Sequence, residues 1–202
     1  MKRSASILAV AAAGILAAAL AHASASVGQP APEFKVKDTA GKEQSLAAYK
    51  GKFVVLEWVN PDCPFVRKHY DTSNMQSTQT AATAKGAVWL TVSSTATDAG
   101  DYRKPADLSA WLEEQGAKPT ATLMDEDGKV GHAYGARTTP HMYVIDPQGK
   151  LVYAGAIDSK ATARKDDVKS ATNYVSAALD EAMAGKPVTK ATSEPYGCSI
   201  KY

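Results

Sequence analysis

The sequence predicts an α/β sandwich around a mixed central sheet. Three observations lead there. A Val-rich apolar run, Phe53 to Val59, passes through Asn60, Pro61 and Asp62 into a helix-like stretch that begins at Pro64. Further apolar runs then alternate with helical stretches as far as Met124, the pattern of strands crossed over by helices. Finally, Met142 to Ile145 and Leu151 to Ala154 flank Asp146-Pro147-Gln148-Gly149 as a hairpin, ahead of a closing helix.

In chain order, Val27 to Phe34 reads as an extended entry with two prolines. Phe34 to Lys37 alternates apolar with charged and meets a turn at Asp38 to Gly41, giving a short hairpin. Ser45 to Tyr49 offers one helical turn before Gly51. The β-branched content of Phe53 to Val59 makes it a buried strand. A helix follows over 64–83, with Asp71-Thr72-Ser73-Asn74 as the place where side chains compete for backbone hydrogen bonds and break it. Val88 to Val92 is the second core strand, and Ser93 to Lys104 is a polar loop long enough to border a site. Pro105 to Gln115 is a helix with Pro at its start and Gly116 at its end. Thr120 to Met124 is a strand, Val130 to Tyr134 a short helix, and 167–184 the closing helix.

Residues 1–25 read as a secretory signal peptide. Lys2 and Arg3 precede the apolar run Ile7 to Leu20, and Ala21-His22-Ala23 and Ala23-Ser24-Ala25 are small-residue cleavage sites. A periplasmic or secreted location follows, with no stable membrane insertion after cleavage. The domain would then span 26–185, with a C-terminal tail over 186–202. Removing Lys2 and Arg3 from the 23 basic residues leaves 21 against 21 acidic ones, so no charge excess points to nucleic acid or to a membrane surface. No cofactor and no metal is called for by any tight ligand spacing.

Chemistry concentrates at Cys63. It stands where a strand gives way to a helix, and free N–H groups and the helix dipole favour a thiolate there. Pro64 suits the first helical position, since its missing N–H has no helical partner to lose. Val66 occupies the place of the second cysteine of a C-x-x-C pair. The only other cysteine, Cys198, lies in the tail, whose residues from Gly185 onward can extend about 45 Å and so reach Cys63. Gly197 permits close backbone approach, and Tyr196 and Tyr202 can pin the tail to a surface.

The chain resembles the thioredoxin-fold redoxin group, which includes the alkyl hydroperoxide reductase/thiol-specific antioxidant proteins and exported thioredoxin-like proteins. The resemblance rests on G-Q-P-A-P-E-F at 28–34 followed by K-G-K-F-V-V-L-E-W at 50–58, on Cys63 at the strand-to-helix junction, and on Thr138-Thr139-Pro140 before the hairpin. It implies a thioredoxin-like three-layer α/β/α sandwich. It also implies a cis bond before Pro140, with Thr139 offering backbone groups to a bound thiol or peroxide. Glu57, six residues before Cys63, falls where thioredoxins keep a buried acid that moves protons. A structural hydrogen-bond role for this carboxyl is an equal alternative. Arg67, one helical turn after Cys63, and Arg137, three residues before Pro140, are candidates to approach the sulfur; solvated surface charge is the plainer role for each. Lys68 and His69 are less direct candidates.

Two departures from the group stand out. Leu56 and Asn60 replace the Pro and Thr of the peroxiredoxin Pro-x-x-x-Thr/Ser-x-x-Cys motif, leaving Asn60 as a different donor. Val66 excludes an ordinary C-x-x-C reductase. The expectation is an exported thiol oxidoreductase, peroxide-reducing or disulfide-exchanging, with Cys63 as nucleophile, Cys198 as resolving thiol and an unidentified thiol as electron donor. One alternative is a copper carrier using Cys63, Cys198, His69, His141 and Met142. Another is a domain stapled by a structural Cys63–Cys198 disulfide.

Overall fold

The structure, a computed structural model, describes residues 25–202, so the expected signal segment lies outside the described residues except for Ala25. Its centre is a five-stranded mixed sheet. The strands are β3 (Val54–Trp58), β4 (Val88–Ser93), β5 (Ala121–Met124), β7 (His141–Ile145) and β8 (Leu151–Gly155), in the order β5-β4-β3-β7-β8. β3 runs parallel to β4, and β4 to β5; β7 is antiparallel to both β3 and β8. Covered on both faces, β3 and β4 are buried at every position, which explains why they read as mainly apolar runs, broken only by Glu57, Thr91 and Ser93.

Alternation along β3 divides the core. Val55 and Val59 face one layer with Val66, Tyr70, Met75, Leu108, Val175 and Leu179. These come from the helices α1 (Pro64–Asp71), α2 (Asn74–Ala84), α3 (Pro105–Glu114) and α5 (Tyr174–Met183). Val54, Leu56 and Trp58 face the other layer, with Phe34, Leu46, Val130 and Tyr134, where α4 (Lys129–Tyr134) packs. Each fully buried side chain of this kind contributes about 1.5–3 kcal/mol. Beside the main sheet, β1 (Lys35–Lys37) and β2 (Glu43–Ser45) form the early hairpin, and Leu46–Tyr49 is a single 3-10 turn.

The expected long helix is indeed broken where its polar residues cluster. Ser73 takes a left-handed conformation, φ 58°, and Thr72 Oγ1 donates to the Lys68 carbonyl at 2.7 Å, so α1 and α2 are separate helices. The closing helix starts later than the sequence suggests. Lys165–Ser170 is a 3-10 turn, and 171–173 is drawn onto Ser159 by mutual hydrogen bonds with Thr172. Asn173 then caps α5, its side chain accepting from Ser176 N at 3.0 Å. No helix among the described residues is long and apolar enough to cross a membrane.

Candidate functional site

Cys63 is the N-cap residue of α1, with Pro64 at the first helical position, so the sulfur lies at the positive end of the helix. It is only 2% exposed. Its thiol donates to the Thr139 carbonyl at 3.0 Å, and the Cys198 N–H points at its sulfur from 3.4 Å. Both cysteines are free thiols. The Cys198 thiol is pushed up to about 12, first by burial and then by its hydrogen bond to Cys63 and the Cys63 charge.

Two short strands make this meeting. β6 (Thr138–Thr139) pairs antiparallel with β9 (Cys198–Ser199), Thr139 opposite Cys198. The Thr139–Pro140 bond is cis. Gly197 has φ 145°, and a β-carbon there would overlap the Thr139 carbonyl oxygen, so glycine is what allows the tail to come this close. Beyond Cys198, Ile200 N donates to the Arg137 carbonyl at 3.1 Å and Ala96 N to the Lys201 carbonyl at 2.7 Å. Tyr202 stacks on His132 with ring centres 4.0 Å apart.

The residues around the Cys63 turn are mostly occupied with one another. Asn60 Oδ1 accepts from Asp62 N at 2.9 Å, and its amide donates to Asp101 at 2.8 Å. Asp62 pairs with Arg103 at 2.6 Å. Arg67 leans toward the helix start, but its Nε donates to the Pro61 carbonyl at 3.0 Å, bracing the turn. The Arg137 guanidinium pairs with exposed Glu194 of the tail at 2.9 Å, and its carbonyl accepts from Ile200 N, so Arg137 serves the tail rather than the sulfur.

Glu57 is fully buried one layer below. Tyr70 OH donates to its carboxyl at 2.7 Å, Trp89 Nε1 at 2.7 Å, Gln79 Nε2 at 3.1 Å and Thr91 Oγ1 at 3.2 Å. Burial raises its pKa and these four donors partly offset that rise. No hydrogen bond joins Glu57 to either cysteine among the described residues. The four donors went unnoticed in the sequence, although strand pairing places Thr91 directly opposite Glu57 and Trp89 opposite Val55.

A second buried polar group joins residues that the sequence offered only singly. Lys68 and His69, from α1, meet Asp158, which follows β8, and Tyr196 from the tail. Neither side chain reaches Cys63 by a hydrogen bond. His69 is driven down to about 4, mainly by burial. His69 Nε2 is engaged with Tyr196 OH and its Nδ1 with Asn74, while His141 Nδ1 accepts from Arg137 N. Among the described residues no group of three or more His, Cys, Asp or Glu is placed to hold a metal ion.

Known proteins share this fold. The chain is 26% identical to the thiol-disulfide oxidoreductase ResA of Geobacillus thermodenitrificans, over 71% of this chain and 75% of that one. A crystal structure of an uncharacterized conserved protein from Geobacillus kaustophilus superposes with a TM-score of 0.74 at 26% identity, covering 88% of this chain and 92% of the other. The thioredoxin domain of a thiol-disulfide oxidoreductase from Bacteroides vulgatus gives a TM-score of 0.54 at 25% identity, over 73% of this chain and 98% of that one. The model of the AhpC/TSA family matches residues 27–154, taking in Glu57, Cys63 and Pro140 and stopping short of Cys198. With a thioredoxin-like sheet, a helix-capping cysteine and a cis-proline beside it, the chain belongs to the AhpC/TSA family of the thioredoxin-fold redoxin group.

Proposed function

We propose that the protein is an exported thiol-disulfide oxidoreductase whose redox pair is split between Cys63 and Cys198. The observation that carries this is the seating of Cys198 opposite Thr139, with its N–H 3.4 Å from the Cys63 sulfur. The similarity to proteins named thiol-disulfide oxidoreductases supports the reaction class. Export rests on the basic and apolar residues of 1–25.

Cys63, as thiolate, attacks one sulfur of a substrate disulfide. A Cys63–substrate disulfide forms, and the other substrate sulfur leaves as a thiolate. Cys198 gives its proton to that departing thiolate and then attacks the Cys63 sulfur. The Cys63–Cys198 disulfide forms, and the second substrate sulfur departs. The substrate has gained two electrons and the protein has lost two, to be restored by an external thiol donor. Burial, with Cys63 alongside, keeps Cys198 protonated until a mixed disulfide forms at Cys63. With Cys63 2% exposed, the first attack goes with the tail lifted, and redocking delivers Cys198. Peroxide is the weaker substrate, because Asn60 occupies the hydroxyl position and its amide is already bonded to Asp101.

Reduced protein mixed with oxidised glutathione tests the scheme by intact mass. Wild type ends with an internal disulfide and no adduct; Cys198→Ser retains glutathione on Cys63; Cys63→Ser remains unmodified. Wild-type turnover in Cys63→Ser would falsify the assignment, and rapid hydrogen peroxide consumption by the wild type would move the substrate class to peroxides.

A further inference from the structure

Helix α1 carries both the nucleophile and the receptor for the tail that brings the second thiol. Cys63 caps its start, and Lys68 and His69 lie just over a turn further on. Lys68 is 1% exposed and His69 fully buried. Between them and Asp158 sits the phenol of Tyr196, two residues before Cys198. Tyr196 OH donates to Asp158 Oδ1 at 2.5 Å, receives Lys68 Nζ at 3.2 Å and lies 3.1 Å from His69 Nε2. Lys68 also donates to the Lys160 carbonyl at 2.8 Å, tying the pocket to the segment after β8. The Tyr196 ring packs on Phe65, centres 5.8 Å apart, with Lys68 Nζ 5.1 Å from its own centre.

A lysine and an aspartate buried this fully are costly unless each group is satisfied. Without the phenol, Asp158 Oδ1 would keep only the Lys160 N–H at 2.9 Å. Its Oδ2 already accepts no hydrogen bond, with Lys68 Nζ 3.6 Å and His69 Nε2 4.0 Å away. The pocket is therefore completed by the tail. Upstream, Ser193 Oγ is held by Tyr153 OH at 2.7 Å and Ala156 N at 2.9 Å, in a space that a β-carbon on Gly155 would fill.

We infer that Tyr196, seated in the Lys68–His69–Asp158 pocket, is the positioning residue that holds the tail closed and sets the effective concentration of Cys198 at Cys63. This deepens the proposed function and rests on it. A thiol on a free flexible tail is presented at about millimolar effective concentration. Fixing the residue two positions away to the helix that bears Cys63 removes most of that freedom, favouring the internal disulfide and covering Cys63 in the dithiol.

Two measurements decide. In glutathione buffers of graded ratio, the Cys63–Cys198 disulfide takes two electrons and two protons from two glutathione molecules, which leave as oxidised glutathione. The constant for this exchange gives the effective concentration. Tyr196→Ala should shift it at least tenfold toward the dithiol, about 30 mV for a two-electron couple, and Tyr196→Phe in the same direction by less. In a Cys198→Ser background, Tyr196→Ala should speed iodoacetamide alkylation of Cys63 tenfold or more. Leu46→Ala, in the core on the opposite face of the sheet, should lower the melting temperature and move neither readout. Should the wild type form no Cys63–Cys198 disulfide, the resolving role falls, and the alkylation rates still decide the anchor. An unchanged alkylation rate overturns the proposal, as does an unchanged exchange constant in a wild type that does form the disulfide.

Discussion

Gly197 lies against the Thr139 carbonyl so closely that any β-carbon at 197 would overlap the oxygen. This contact joins the residue before Cys198 to the residue before the cis-proline, and it is what lets β9 pair with β6. The same carbonyl receives the Cys63 thiol at 3.0 Å. Backbone on one side and a side chain on the other thus converge on Thr139.

Gly197→Ala should therefore uncouple the cysteines. Its φ of 145° is strained for any L side chain, a cost of about 1–3 kcal/mol before the overlap is counted. Relief comes most easily by lifting the tail. The expected result is at least a tenfold loss of internal disulfide at a fixed glutathione ratio, with the melting temperature of the main domain changed little. Wild-type disulfide content in Gly197→Ala would show that the close approach is not needed.

Glu57 offers a contrast between two substitutions. Glu57→Leu leaves four donors, from Tyr70, Gln79, Trp89 and Thr91, without their acceptor, at about 1–3 kcal/mol for each group not otherwise satisfied. Glu57→Gln keeps an acceptor oxygen where three of them converge. Urea unfolding at pH 7 should place Glu57→Leu more than about 3 kcal/mol below Glu57→Gln. Equal stabilities would mean that the network contributes nothing.

The Asn173 side chain both caps α5 and donates to Thr78 Oγ1 at 2.9 Å, linking α5 to α2. Asn173→Ala should cost about 1–2 kcal/mol. Asn173 meets Asp158 through a backbone bridge that the alanine side chain leaves in place, so glutathione exchange should proceed at the wild-type rate. A slowed exchange with unchanged unfolding midpoint would contradict that expectation.

How much of this was legible in advance follows from what each feature depends on. The strands were readable because burial on both faces leaves β3 and β4 no room for polar alternation, and the interruption of the 64–83 helix was readable from four residues with local hydrogen-bonding side chains. The start of α5 was not, because it depends on a cross-chain exchange between Thr172 and Ser159. At the site, the juxtaposition of Cys63 and Cys198 could be posed as reachable, since only two thiols and one reachable tail were available. The pocket for Tyr196 could not. It takes Lys68 and His69 from one helix and Asp158 from beyond the hairpin, and only the fold brings them together. Arg137 illustrates the reverse: its place in sequence allowed either charge at the sulfur or plain surface charge, and its side chain runs outward to exposed Glu194 of the tail while its carbonyl receives Ile200 N.

Acid should destabilise the protein through its buried histidines, with a sign that can be isolated at His141. Burial, aided by Arg137, drives this imidazole down to about 3, against an ordinary 6.5. The folded state keeps it neutral while the unfolded chain takes up a proton below 6.5, so its stabilising contribution is complete above 6.5 and is lost as pH falls toward 3. His69, held down to about 4, acts in the same direction. Glu57 acts oppositely: with its pKa raised, the folded state holds a proton that the unfolded chain has released above the ordinary 4.5. The whole-protein curve mixes these contributions, so the informative quantity is the difference between wild type and His141→Gln, which retains an acceptor for Arg137 N. In urea unfolding, the wild type should lose about 2 kcal/mol more than His141→Gln between pH 8 and pH 5. A gap that is the same at both pH values would show that His141 is protonated equally in the folded and unfolded chains.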